Sequence, residues 1–424
     1  MDAVFEAQFR LMKDDFARRG VEIEVATRPD GEADYLYQTG RLITLATPEN
    51  LALLGSALPG LQGLQPGPQS RRRDLEPNGE LTVITTDALR NGELTVPECL
   101  DQIDRHLGDS NPAFGSGGLP AASPDHVVHV SRVCPAVEPE VPSGCPVTPW
   151  PEQRRATSTD RKIVIGISDT GLLEKLDPAQ YPWLSDVTGD PDLLAPGPNG
   201  STQIREYAAH GTFIAGVAKC EAPHARVLVN DHFTASGGEV ESEMIRKVLE
   251  LAQQKPHVIN LSAGTYTRND WTSLGFSLFN SRHPEIAFVA AAGNDSTTRP
   301  FWPAAFDWAV SVGALATDQQ HLAWFSNHGR WVDVYALGEG LVNAYATGEY
   351  TYNEPPKAPA TQSFKGMARW SGTSFSAPLV AGLIAERMAR TSDSATQATA
   401  AVLKLASNQA LAGVGPALFP GDAA

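Results

Sequence analysis

Cysteine is scarce in this chain of 424 residues: four, at positions 99, 134, 145 and 220, with no C-x-x-C pair and no mixed His/Cys spacing. That argues against a disulfide framework and against a structural zinc centre. Basic charge is also in deficit, with 33 Lys and Arg against 49 Asp and Glu and a formal net charge of −16. A polyanion needs a basic footprint, so nucleic acid is not an expected partner. The one dense basic run, Arg71-Arg72-Arg73, reads as a solvated loop, with a cleavage site or a small anion patch as lesser alternatives. Long apolar runs are missing: none approaches the ~18 residues of a membrane span. The first twenty residues carry Asp2, Glu6, Asp14 and Asp15 and no continuous apolar core, so they do not read as a signal peptide. The cytoplasm is the expected location, no membrane is an expected partner, and the thiols are expected to be reduced. Cys134 and Cys145 flank a proline-rich loop and could pair only in an oxidising compartment.

The length allows two or three domains, and 42% hydrophobic against 19% charged residues is an ordinary globular balance. Residues 1–133 read as a small α+β unit. Phe5, Phe9, Met12 and Phe16 recur at spacings of three and four, an amphipathic helix over 2–19. Strands are expected at 21–26, 81–86 and 126–133, with a further strand region over 35–46 that turns at Thr39-Gly40. Thr47-Pro48 opens a helix to about residue 58, and Gly108 ends another over 97–107. Residues 59–79 and 109–125 read as loop and linker. A proline-rich linker, 134–159, leads to the remainder, 160–424. Expected strands at 163–168, 226–230, 257–262, 286–291 and 309–313 alternate there with helices at 211–219, 239–253 and from 374. Such alternation predicts an α/β fold, a mostly parallel sheet with helices on both faces. Residues 172–209 read as irregular, 341–368 as a polar, proline-bearing insertion, and the tail beyond 391 as one helix followed by disordered Gly-Pro residues.

Three stretches carry chemistry. Gly372-Thr373-Ser374 places a serine between small residues at the start of a helix, where unpaired N–H groups and a positive dipole end could hold a developing oxyanion. The alternative is a plain helix cap. An apolar strand ends in Asp169, delivered to the strand's carboxyl end. His210 opens an apolar helix with Gly211, Ala215 and Gly216 on it. An Asp, a His and a Ser at element termini are the parts of an activated nucleophile. Each alone has a structural alternative as cap, helix terminus or turn. Asp186, Asp190 and Asp192 lie close together and could bind calcium, though their spacing fits no calcium loop and a solvated surface loop is the main reading.

In the order Asp, His, Ser, these motifs resemble those of the subtilisin-like serine peptidases, the subtilases. Asp169-Thr170-Gly171, His210-Gly211-Thr212 with Ala215-Gly216, and Gly372-Thr373-Ser374 with Ser376-Ala377-Pro378 carry the likeness. Gly293-Asn294-Asp295 is similar to the family's oxyanion-hole strand, and Ser262-Ala263-Gly264 to its substrate-binding strand. The resemblance spans about 160–390. It implies a subtilisin-like fold and a serine endopeptidase in which Ser374 is the nucleophile, His210 the base, Asp169 its orienting carboxylate and Asn294 an oxyanion donor. It further implies that 262–264 pair with the substrate backbone, that Gly293 leaves room beside them, and that no cofactor is required, a structural calcium being possible. Many subtilases carry an N-terminal α+β prosegment that assists folding and blocks the site. Residues 1–133 match it in position and element order, and an attached accessory or recognition domain is the alternative. The family's Ala-Pro-Gly turn reads Ala336-Leu337-Gly338 here. The rival from another class is a binding protein on this scaffold, its activity permanently masked by the first 150 residues.

Overall fold

The computed structural model describes residues 3–57, 81–108, 111, 118–130, 138–144, 147–154, 161–174, 176–197, 201–353 and 356–422. The Arg71-Arg72-Arg73 run and the Cys134 and Cys145 pair lie outside the described residues.

The strands Val258–Leu261, Ala287–Ala291, Ala309–Leu315 and Val334–Leu337 are buried at every position, and Val164–Asp169 at all but its first. Strands apolar on both faces are stable only between two covering layers. They form the centre of an eight-stranded sheet in the order Ala417–Leu418, Val334–Leu337, Ala309–Leu315, Ala287–Ala291, Val258–Leu261, Val164–Asp169, Arg226–Asp231, Thr188–Gly189. Every neighbouring pair is parallel. The period-two alternation of strand side chains divides the core. Ile165, Ile167, Val289 and Val312 pack with Phe213, Val217, Leu379 and Leu383 of the helices His210–Glu221 and Thr373–Thr391. Ile259, Leu261, Phe288 and Ala290 pack on the other face with Met244, Val248 and Phe279 of Glu241–Ala252 and Leu274–Arg282. The expected α/β sheet covered on both faces is therefore what the chain forms. The chain leaves Val164–Asp169 first to one side and later to the other, so the order reverses at that strand. A crevice forms beyond the carboxyl ends of the strands at such a reversal.

The N-terminal region builds a second, antiparallel sheet from Ile23–Thr27, Ala33–Leu45, Leu81–Ile84 and Ser123–His129. Its helix Ala3–Arg18 buries Phe5, Met12 and Phe16, one apolar stripe. Helix Val96–Leu107 starts with a reciprocal Thr95/Glu98 capping box and buries Val96, Cys99, Leu100, Ile103 and Leu107. The fifth strand of this sheet comes from far along the chain: Gly238–Val240 pairs antiparallel with Ser123–His129.

Several local expectations are corrected. Ala33–Leu45 is one long strand, and Gly40, at φ 73°, marks an irregularity in its pairing rather than a hairpin turn. The supposed linker contributes 123–125 to a fully buried strand, because Asp125 finds partners in Arg41 and Ser242. Residues 238–240 are strand, and the helix starts only at Glu241. The supposed insertion is a long hairpin, Leu341–Thr351 with Thr361–Trp370, joined to Thr202–Ile204 and Ala195–Pro196 in a four-stranded sheet. The tail is ordered as well: after helix Ala395–Asn408, Ala417–Leu418 adds an edge strand. Among the described residues no helix is long and apolar enough to cross a membrane.

Candidate active site

Asp169 closes the central strand at the crevice and is fully buried. Its Oδ1 accepts from Nδ1–H of His210 at 2.7 Å and from the Thr170 amide at 2.9 Å. Its Oδ2 is buried without a hydrogen-bond partner among the described residues. A carboxylate on Nδ1 fixes the imidazole tautomer and leaves Nε2 as the atom that can take a proton. His210 is the first residue of its helix, and Ala209 before it is held in the left-handed region at φ 68°. That conformation costs a non-glycine residue energy and persists only where its surroundings fix it. Here Asp192 fixes it, accepting the Ala209 amide at 2.6 Å and the Thr170 hydroxyl at 3.3 Å, while Thr170 Oγ1 accepts from the Gly211 amide at 3.1 Å. One buried carboxylate thus ties the residue before His210 to the residue after Asp169. Burial pushes the Asp192 carboxyl up to about 6, against the pull of the Ala209 amide and Arg205. The imidazole packs beside the touching rings of Trp370 and Phe375, each with its centroid 5.4 Å away.

Ser374 is the second residue of the helix Thr373–Thr391 and only 2% exposed. Pro378 stands four residues further on and has no N–H to give to the Ser374 carbonyl. The Ser262 hydroxyl supplies the missing donor at 2.8 Å, and the Ser374 hydroxyl donates in return to the Ser262 carbonyl at 3.3 Å. The nucleophile's helix is therefore pinned to the strand end at 262–264. Among the described residues no hydrogen bond joins Ser374 Oγ to His210. Bonds of this kind often tighten only around bound substrate.

Asn294 follows the strand Ala287–Ala291. Its Oδ1 accepts the Thr373 amide at 2.9 Å and the Thr373 hydroxyl at 2.8 Å, which itself accepts from the Gly293 amide at 3.1 Å. Its Nδ2 is buried and has no hydrogen-bond partner among the described residues. A satisfied acceptor beside an unsatisfied donor is the pattern of a group waiting for an oxygen, since a buried amide left unpaired costs about 1–3 kcal/mol. The sequence reading missed Asn327. It is fully buried, donates through Nδ2 to Ala292 O at 2.8 Å and Tyr266 OH at 3.0 Å, and accepts through Oδ1 from Asp295 N and Thr297 N at 2.9 and 3.2 Å. It brackets Asn294 on both sides. No periodicity marks it in the sequence, since its role rests on partners in separate loops.

The backbone at 262–264 already has a partner. His129 donates to Gly264 O at 2.9 Å and accepts from Gly264 N at 3.0 Å. The Val130 amide donates to Gly237 O at 2.9 Å. The last N-terminal strand is thus sandwiched between 237–240 and 264, with Val128 and Val130 packed in the same apolar cluster as Ala263. The room expected beside Gly293 is filled: a Cβ there would lie 2.4 Å from Asn327 Nδ2 and 3.2 Å from Phe301 Cδ1.

Asp186, Asp190 and Asp192 have separate tasks. Asp186 pairs with the buried ammonium of Lys219 at 2.8 Å, Asp190 accepts from Asn230 Nδ2 and Asp231 N, and Asp192 clamps Ala209. Among the described residues no group of three or more His, Cys, Asp or Glu side chains could hold a metal ion. Cys220 is fully buried at the far end of the histidine helix, and burial pushes its thiol up to about 12. It is no rival nucleophile.

The family model described as the subtilase family matches residues 160–416. A thermophilic serine proteinase of Bacillus sp. (strain AK1) is 33% identical over 187 residues, 42% of this chain and 41% of that protein. An intracellular serine protease of Paenibacillus polymyxa is 26% identical over 58% of this chain and 72% of its own length. Thermitase of Thermoactinomyces vulgaris is 30% identical over 56% of this chain and 78% of its own. Among solved structures, a cold-adapted subtilisin-like serine proteinase aligns with a TM-score of 0.46 at 19% identity, over 64% of this chain and 96% of that one. The chain thus spans well under two thirds of the first of these relatives and more of the others.

Proposed function

This chain belongs to the subtilase family, and on that premise we propose that it is a serine endopeptidase held in check by its own N-terminal region. In this reading Ser374 Oγ attacks the scissile carbonyl while His210 Nε2 takes its proton. Asp169 stabilises the imidazolium that forms and keeps its orientation. The oxyanion is received by the unpartnered Asn294 Nδ2 and by the Ser374 backbone N–H at the helix start. His210 then protonates the leaving amine, and water, deprotonated by the same imidazole, hydrolyses the acyl-serine. No cofactor enters the proposal, because side chains and amides of this chain supply each role. The substrate is a peptide or protein strand that pairs with 262–264.

The observation that carries this reading is the convergence of the 2.7 Å His210–Asp169 bond with the vacant Asn294 donor at the start of the Ser374 helix. The restraint rests on the strand Ser123–His129, which lies where an extended substrate would pair. Residues 1–133 are accordingly proposed as a prosegment-like domain, 134–159 as the connection and 160–424 as the peptidase. Self-cleavage would then fall shortly after Val130. A cytoplasmic location is part of the proposal, in keeping with the intracellular relative. Secretion of the native chain would contradict it.

The test is hydrolysis of fluorescein-labelled casein by the purified chain beside Ser374→Ala and His210→Ala. Activity in the wild type alone, abolished by a sulfonyl fluoride, is the expected result. Equal activity in Ser374→Ala would refute the nucleophile. A wild type that stays whole, inert and unlabelled by serine-directed inhibitors would instead favour the permanently masked binding protein.

A further inference from the structure

We infer that Phe301 confines this enzyme to peptides whose residue before the scissile bond carries a small side chain: glycine, alanine or serine. The inference rests on the catalytic reading above and names its substrate class. A peptide whose carbonyl carbon meets Ser374 Oγ, whose oxygen meets Asn294 Nδ2 and whose backbone follows 262–264 has one direction left for that side chain. It must enter between the strand at 262–264 and the turn at 292–294. Both walls are bare at this point, for they present Gly264 and Gly293.

The gap between the walls is nevertheless occupied. The Phe301 ring is fully buried against both glycines. A Cβ on Gly264 would lie 2.4 Å from Phe301 Cε1 and 2.6 Å from Cδ1, and a Cβ on Gly293 would lie 3.2 Å from Cδ1. The ring cannot easily swing aside. Tyr266 packs on it with centroids 5.0 Å apart, and the Tyr266 hydroxyl donates to Asp295 Oδ2 at 2.6 Å. Trp302, next in the chain, exchanges two backbone hydrogen bonds with Thr265 at 2.8 and 2.9 Å. Two glycines facing each other would normally open a deep slot. With an aromatic ring between them, the slot is shallow, and a large side chain would have to displace a packed ring. In the sequence Val130 is followed by Ser131, itself small.

The experiment measures kcat/KM of the purified full chain on tetrapeptide p-nitroanilides identical except for Ala, Ser, Leu or Phe before the scissile bond. The rate of Ser374 labelling by a small fluorophosphonate, which places no side chain in the slot, is measured alongside. The expected result is Ala and Ser ahead of Leu and Phe by about 10²-fold. Phe301→Ala should raise the Phe substrate at least about tenfold while labelling stays within about threefold of wild type. Phe301→Leu, a milder change less apt to disturb folding, should shift the same ratio in the same direction by a few fold. A wild type that labels yet cleaves after Phe as readily as after Ala would overturn the inference. So would variants that label normally and keep the wild-type preference. A wild type that does not label at Ser374 overturns the catalytic reading first, and this inference with it.

Discussion

The seam between the two halves of this molecule differs from the sheet core of the larger half in one respect: it adds a row of charged pairs to its apolar contacts. The sheet of the larger half is clamped between helices by Ile, Val, Leu and Phe side chains that are almost wholly buried. The seam with the N-terminal region shares that hydrocarbon, with Ile43, Leu81, Val128 and Val130 in one cluster with Met244, Ile245 and Ile259, but it also carries a row of polar and charged pairs. Arg41 and Asp125 meet Ser242, His126 meets Glu241 at 2.9 Å, Arg19 meets Glu239, Arg299 meets Asp34, and Arg268 bridges Asp101 and Asp104. A core of packed hydrocarbon is stable over a wide range of pH and salt. A seam of charged pairs depends on both, and breaking one pair leaves its partner uncompensated. The charged pairs make the seam the more pH- and salt-sensitive part of the molecule, as the proposed restraint by the N-terminal region would require.

The comparison can be broken from either side. The largest effect is expected within the larger half, at Lys219. Its ammonium is held by Asp186 and by the carbonyls of Pro223 and Ala225 at 2.7 and 3.0 Å, and it is 2% exposed. Lys219→Met should lower the free energy of unfolding by about 3 kcal/mol, read from the denaturant midpoint, because the Pro223 and Ala225 carbonyls lose their donor at about 1–3 kcal/mol each while the half-exposed Asp186 is left to solvent. A change under about 1 kcal/mol would mean that the polar centre contributes little.

Next comes the seam between stability and chemistry. Asn294→Asp keeps an acceptor for Thr373 and removes the vacant donor. It should cut kcat by about 10²–10³ with little change in KM, and lower the thermal midpoint as well because the new carboxylate oxygen is buried without a donor. A folded variant that keeps the wild-type kcat would mark Asn294 as a structural residue only.

A subtler contrast lies in pH. Burial raises the carboxyl of Glu221 from an ordinary 4.5 to about 7, opposed by the Gly421 amide and Arg154. Because the folded-state value is the higher one, its contribution to stability is fully present below about 4.5 and is lost as pH rises through about 7. Each pH step of that gap is worth about 1.4 kcal/mol, so the total is on the order of 3 kcal/mol. Glu221→Gln should therefore flatten the fall in thermal midpoint between pH 5 and 8. An unchanged slope would assign the dependence to other groups.

The smallest effect is expected at the seam's rim. Arg19 is 42% exposed and pairs with a buried Glu239 that Lys247 also holds at 2.8 Å. Arg19→Ala should weaken docking of the N-terminal region by less than about 1 kcal/mol and more visibly at low salt, measured by limited proteolysis. Wholesale release would show that the rim carries the seam.

The same contrast explains what could be read from sequence. In the larger half, local patterns announce their roles: an apolar strand ending in Asp169, a histidine opening a helix, a serine before Phe375 and Pro378. The alternation of apolar strands and helices likewise gave the parallel sheet. What escaped depends on partners distant in the chain. Ser123, Pro124 and Asp125 look like linker until Arg41 and Ser242 are placed around them. The hairpin Leu341–Thr351 with Thr361–Trp370 is broken in sequence by prolines that sit near its tip, which obscured two regular strands. Asn327 and Phe301 have meaning only beside loops they do not adjoin.

The central claim is that Ser374 is a live nucleophile in a cleft lined by the chain's own strand. It is tested most directly by intact-mass spectrometry of the wild type and Ser374→Ala, each with and without a fluorophosphonate. The account predicts one adduct on Ser374 in the wild type, none in the mutant, and a cut shortly after Val130 that only the wild type makes. A mutant that takes up the probe at another residue, or is cut at the same place in the absence of any other protease, would contradict it.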